Sequence, residues 1–145
     1  MGVADILFKR KQELAAKNLK EGQDFMEENG KKEGVITLEN GLQYEILTDA
    51  EGPKPNIKSN VKCHYHGTTI NGEVFDSSVK RGVPATFPLN RVIAGWTVGV
   101  QLMSVGSKYR FVIPAWLAYG EEQISKEIGP NSTLIFEVEL LGIEG

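Results

Sequence analysis

From Val35 onward the apolar residues of this chain fall mainly into alternating runs, and that period makes each such run a strand. Val61, Cys63 and Tyr65 alternate with Lys62, His64 and His66. Tyr109, Phe111 and Ile113 form a second run, ending at Pro114. Leu134, Phe136, Val138 and Leu140 form a third, interleaved with Glu137 and Glu139. A period of two sends neighbours to opposite faces, so each run has one buried face and one wet face. Leu42–Leu47 reads as a further strand. Asn71-Gly72 reads as a hairpin turn into Glu73–Asp76, because both residues tolerate positive φ. Val98–Met103 is the short helical segment of this half. The expectation is an α+β domain: a twisted antiparallel sheet of about five strands wrapped on one short helix.

Before Val35 the pattern is different. Residues 4–29 lack proline, carry glycine only at Gly22, and are rich in Ala, Leu, Lys, Glu and Gln. These are good helix formers. Leu7, Leu14, Asn18 and Phe25 fall on one narrow stripe, with Ile6 and Met26 beside it. Most other positions are charged, which describes an exposed shaft packed along one edge. Asn29-Gly30 is a helix stop, and the residues to Gly34 are a polar linker. The chain therefore divides into a helix and linker over 1–33 and a compact domain over 34–145.

Composition removes several classes of function. The net charge of -3, with no long basic run, argues against a nucleic-acid partner. No apolar run approaches the roughly 20 residues that span a bilayer, so no membrane partner is expected. The N-terminal charges follow a very short apolar patch, the reverse of a signal peptide. A cytoplasmic location is expected, with a periplasmic or surface location as the alternative if an export signal has been removed. Cys63 is the only cysteine, so the fold rests on its core without an internal disulfide.

The stretch Gly72-Glu-Val-Phe-Asp-Ser-Ser78 brings an aromatic residue and a carboxylate together. With Tyr65, Val92-Ile93-Ala-Gly-Trp96 and Ala118-Tyr119-Gly120, it supplies the lining of an apolar site with few polar groups, the usual form of a small-ligand pocket. Such a box suits a ligand that is apolar and carries an amide, as proline in a peptide does. Each residue also has a plainer use. Asp76 could cap a turn with its neighbouring serines. Trp96 could be ordinary core, and Tyr119 could cover it. Arg81, five residues after Asp76, offers a partner that would hold the carboxylate ionised. His64 and His66 are two ligands without a third, so no metal site is expected. Cys63 falls on the inward face as an inert core thiol.

Six motifs in order carry a resemblance: Cys63-His-Tyr-His-Gly67, Gly72-Glu-Val-Phe-Asp-Ser-Ser78, Val92-Ile-Ala-Gly-Trp96, Gln101-Leu-Met-Ser-Val-Gly-Ser107, Leu117-Ala-Tyr-Gly120 and Ile128-Gly-Pro-Asn-Ser-Thr-Leu-Ile-Phe136. Over residues 35–145 the chain resembles the FKBP family, the macrolide-binding peptidyl-prolyl cis-trans isomerases. Arg81-Gly-Val-Pro-Ala-Thr-Phe87 and Phe25-Met-Glu-Glu-Asn-Gly-Lys-Lys-Glu-Gly34 are similar to its bacterial branch, which includes the macrophage infectivity potentiator and its cytosolic relatives. In that branch a long helix joins a dimerisation domain to the isomerase domain. The loop Glu121–Glu127 departs from the family in lacking its usual glycines.

The resemblance implies catalytic roles for Asp76, Tyr119 and the backbone of Ile93. It implies a substrate pocket of Tyr65, Phe75, Arg81, Val92, Trp96, Ile128 and Phe136. It also implies isomerisation of X–Pro bonds in protein folding, without covalent chemistry, cofactor or metal. The expected partners are proline-containing peptides, unfolded proteins and macrolides such as tacrolimus and rapamycin, with a homodimer through the N-terminal helix. The rival is a non-catalytic module or chaperone that binds proline peptides without speeding rotation.

Overall fold

The computed structural model describes residues 2–144. Helix α1 (Val3–Gly30) leads into strands β1 (Val35–Thr37), β2 (Gln43–Thr48), β3 (Asn60–Thr69) and β4 (Val74–Ser77). The one-turn helix α2 (Ser78–Arg81), strand β5 (Ala85–Pro88), helix α3 (Ala94–Val100) and strands β6 (Lys108–Ile113) and β7 (Leu134–Glu144) follow. All strand pairs are antiparallel. They form one sheet in the order β1-β2-β6-β7-β3-β4, with β5 also pairing to β3.

The alternating runs bury the faces their period assigns. Val61, Cys63 and Tyr65 of β3, Phe111 and Ile113 of β6, and Leu134, Phe136, Val138 and Leu140 of β7 all point into one core. Burial pushes the Cys63 thiol up to about 12, so it stays protonated and behaves as core. The sheet has two more strands than the alternation suggested. β1 and β5 span only three and four residues, too short for a period to register. The hairpin also differs in detail. Gly72 has a φ of 87° and its N–H donates to the Thr69 carbonyl, but Asn71 keeps negative φ. The turn is thus a four-residue one closed by glycine, and the β3–β4 register shifts beside it.

Helix α3 begins four residues before the expected Val98, and the reason lies in its glycines. Gly95 and Gly99 weaken a helical signal in sequence, yet one helical turn apart they form a flat stripe against β6. A methyl built on Gly95 would stand 2.5 Å from Ile113 Cγ2, and one on Gly99 2.7 Å from Phe111 Cε1. The helix can lie this close to the sheet only without those side chains. Gly99→Ala is therefore expected to destabilise the fold by about 1–2 kcal/mol, overpacking outweighing the better helix propensity of alanine. The midpoint of urea unfolding checks it, and an unshifted midpoint would refute this account of the packing.

Helix α1 is exposed all round through Leu14. Beyond it, Ala15, Asn18, Gly22, Phe25, Met26 and Asn29 make a half-buried to buried stripe at helical spacing. Asn29 donates to Gln43 Oε1 at 2.8 Å, and Gln43 donates back to the Met26 carbonyl at 2.7 Å, which seats the helix end on β2. No helix among the described residues is long and apolar enough to cross a membrane.

Candidate active site

Strand β3 is shared by two partners along one edge. β5 pairs with residues Asn60–Cys63 and β4 with His66–Thr68. Between them the backbone of Tyr65 faces no strand. Ser78, fully buried at the start of α2, takes the place of one. Its hydroxyl accepts from the Tyr65 N–H at 2.7 Å and donates to the Tyr65 carbonyl at 3.3 Å. A buried backbone pair left unmet would be costly, so this serine lets the strand edge open without leaving polar groups unsatisfied.

A cavity of about 320 Å³ is lined by Tyr65, Asp76, Phe87, Arg91, Val92, Ile93, Trp96, Tyr119 and Phe136. Its walls are aromatic. Trp96 lies edge-on to Tyr65 at 5.5 Å, to Phe87 at 5.4 Å and to Phe136 at 5.4 Å between ring centroids. Such T-shaped contacts are favourable and hold the rings in fixed orientation. Helix α3 supplies Trp96, β3 Tyr65, β5 Phe87 and β7 Phe136, so the box exists only once the sheet has closed on α3.

One charged network stands beside it. The Tyr65 hydroxyl donates to Asp76 Oδ2 at 2.7 Å and accepts from Arg81 Nη2 at 2.8 Å. Arg81 Nη1 also donates to Asp76 Oδ1. Partial burial pushes the Asp76 carboxyl up, but the hydrogen bonds from Tyr65 and Arg81, with the arginine's charge, outweigh it. The carboxyl is held below the usual carboxylate range. Burial raises the Tyr65 hydroxyl, and the bond to Asp76 adds to the shift. Burial likewise raises Tyr119, assisted by the Asp76 charge. Both tyrosines stay protonated as donors.

Seven of the expected residues thus surround one cavity: Tyr65, Asp76, Val92, Ile93, Trp96, Tyr119 and Phe136. The other three lie behind or beside it. Phe75 stacks edge-on against Phe136 at 5.3 Å, backing the wall. Ile128 is buried in the core. Arg81 reaches the site through Asp76 and Tyr65. Phe87 and Arg91 line the cavity and were not anticipated. The alternation Ala85-Thr-Phe87 carried a signal for Phe87, while nothing in the sequence singled out Arg91. His64 and His66 bond to Ser78 and Ser77, at 2.9 and 2.8 Å, away from this cavity. No group of three or more metal-ligating side chains occurs among the described residues.

Comparison with known proteins places this geometry in company. Residues 52–141 match the FKBP-type peptidyl-prolyl cis-trans isomerase family, and residues 3–46 match the domain amino terminal to it. The chain is 54% identical over 130 residues to the FKBP-type peptidyl-prolyl cis-trans isomerase FkpA of Aeromonas hydrophila, covering 90% of this chain and 48% of that protein. It is 43% identical over 143 residues to the outer membrane protein MIP of Legionella longbeachae, covering 97% of this chain and 61% of that one. The crystal structure of FkpA from Escherichia coli superposes with a TM-score of 0.90 at 40% identity, over 94% of this chain and 63% of that one. The chain thus spans about half to three fifths of the length of these relatives.

Proposed function

The chain belongs to the FKBP-type peptidyl-prolyl cis-trans isomerase family, and on that premise we propose that it accelerates rotation about X–Pro bonds in peptides and unfolded proteins. The observation that carries this reading is the aromatic box with one ionised carboxylate pinned at its edge by Tyr65 and Arg81. Rotating a peptide bond costs roughly 18–20 kcal/mol, because resonance is lost at the perpendicular geometry. The uncatalysed event takes on the order of 10–100 s at an X–Pro bond. The twisted amide has lost the charge-separated resonance form, so it is less polar than the planar one. A dry apolar box disfavours the planar form relative to it. An acceleration of about 10⁴–10⁶ requires some 5.5–8 kcal/mol of such differential stabilisation.

In this reading Trp96, Phe136, Tyr65 and Val92 hold the proline ring, with Phe75 and Ile128 supporting the wall. The Ile93 N–H and the Tyr119 hydroxyl donate to substrate carbonyls. Asp76 orients the rotating carbonyl electrostatically, kept in place by Arg81. Residues 34–145 form the isomerase domain, and 1–33 are its helix and linker. A protease-coupled assay on a proline tetrapeptide, with and without tacrolimus, tests the activity. Turnover abolished by the drug is expected. A protein that binds the peptide without turnover would be the non-catalytic module instead.

The carboxyl of Asp76 titrates below its ordinary value of 3.8, and both tyrosines above 10.0. With Asp76 depressed, its contribution is present above the ordinary carboxylate range and lost as pH falls through the folded value. We therefore expect kcat/KM to be level between about pH 5 and 9. A bell-shaped profile centred within that window would contradict Asp76 as the group in play.

The exposed side chains of Val3, Leu7 and Phe8 on α1 support pairing with a second copy through that helix. A monomer at all concentrations in sedimentation equilibrium would rule this out. The outer-membrane name of one relative supports a location beyond the cytoplasm over the cytoplasmic one expected from the N-terminal sequence, which cell fractionation tests.

A further inference from the structure

The buried stripe of α1 lies against the loop that carries Tyr119 into the cavity. Asn18 Nδ2 donates to the Pro130 carbonyl at 2.8 Å. Asn131 Nδ2 donates to the Ala15 carbonyl at 3.3 Å. The Asn131 N–H in turn donates to the Gly120 carbonyl at 2.7 Å, next to Tyr119. Asn131 is also the one non-glycine residue among those described with positive φ, at 58°. That conformation is uncommon for a residue with a Cβ, and here the backbone donor closes the loop stem on Gly120 while the side-chain donor reaches α1. One turn further along α1, a methyl on Gly22 would stand 2.2 Å from Thr133 Oγ1. Glycine weakens a helix interior, and this close seat on the start of β7 accounts for its presence there.

The loop itself is internally tied. The Ile124 N–H donates to the Ile128 carbonyl at 2.9 Å, and the Ile128 N–H to Ser125 Oγ at 3.1 Å. It has no glycine from Glu121 to Ile128, so its backbone has fewer accessible conformations than a glycine-rich loop. The Tyr65–Asp76–Arg81 network is held separately, within β3, β4 and α2.

We propose that α1 braces the cleft loop Tyr119–Asn131, and that Asn18 is a positioning residue that sets peptide affinity through Pro130 and Asn131. Its effect on turnover rests on the isomerase reading above, while its effect on the loop does not. Because the brace acts on the loop that carries the Tyr119 anchor and not on Asp76, loosening it weakens the hold on the peptide and leaves the electrostatic contribution of Asp76 intact. Asn18→Ala in the full chain is expected to raise KM about three- to fivefold, the worth of one part-buried hydrogen bond, with kcat changed by no more than about twofold. Amide exchange at Asn131 and Ile124 should quicken more than exchange in the core strands β3 and β7, which a uniform loss of stability would not produce. Gly22→Ala should act in the same direction despite its better helix propensity, and Gly22→Ala with Thr133→Ala should recover most of the loss. Unchanged KM together with unchanged exchange at Asn131 in Asn18→Ala would overturn the proposal. So would equal falls in kcat and kcat/KM. If the wild-type chain turns over no tetrapeptide, the isomerase reading fails, and exchange at Asn131 alone then decides the brace: quickened exchange sustains it and unaltered exchange overturns it.

Discussion

Asp76→Asn should lower kcat/KM about tenfold while leaving tacrolimus affinity changed far less. The substitution keeps the shape of the side chain and removes its charge. Docking on the aromatic walls therefore survives, and only the electrostatic preference for the rotated carbonyl is lost. Loss of one preorganised contact in a dry site typically costs about 10²–10³ in rate. The Asp76 side chain is 44% exposed, so solvent screens it and the smaller effect is expected. The competing account is that Asp76 only ties Arg81 and Tyr65 together at the end of β4. In that case the variant would melt earlier and turn over normally per folded molecule. Measuring the unfolding midpoint and kcat/KM on one preparation separates the two.

Removing the largest wall of the cavity should have a larger effect on stability. Trp96 is 4% exposed and meets three other rings. Trp96→Ala is expected to cost about 3–5 kcal/mol, as truncation of a buried aromatic does. For a chain of this size the melting temperature should fall by roughly 8–16 °C. The remaining folded protein should bind tacrolimus at least about tenfold more weakly, because the floor of the box is gone. Trp116, the other tryptophan, is 59% exposed, so the blue-shifted part of the emission should vanish with Trp96 and report on it directly. A variant that melts normally and binds the drug as before would remove Trp96 from the cavity.

Phe75 and Asp76 of the Gly72–Ser78 segment show how far local pattern reaches. Adjacent strand positions point Phe75 and Asp76 to opposite sides, and the paired serines mark where the strand ends. Both inferences come from the chain alone. Neither indicates that Phe75 would back Phe136 or that Ser78 would stand in for a missing strand beside Tyr65. Phe87 shows the same limit from the other direction. Its strand is four residues long, and only pairing to Val61 places its ring against Trp96.

Periodicity decides which side of an element is apolar, because successive side chains are set by local dihedral geometry. Alternation from Val35, the helical composition before it and the ordered motifs from Cys63 to Phe136 are local in this sense, and they determine five of the seven strands, the long helix and the family. Pairing is not local. That β5 and β4 divide one edge of β3, leaving Tyr65 open between them, depends on contacts between residues far apart in the chain. So does the approach of α3 to β6 across Gly95 and Gly99. Those choices belong to the closed sheet, because hydrogen bonding and close packing select among registers that the period alone leaves equivalent.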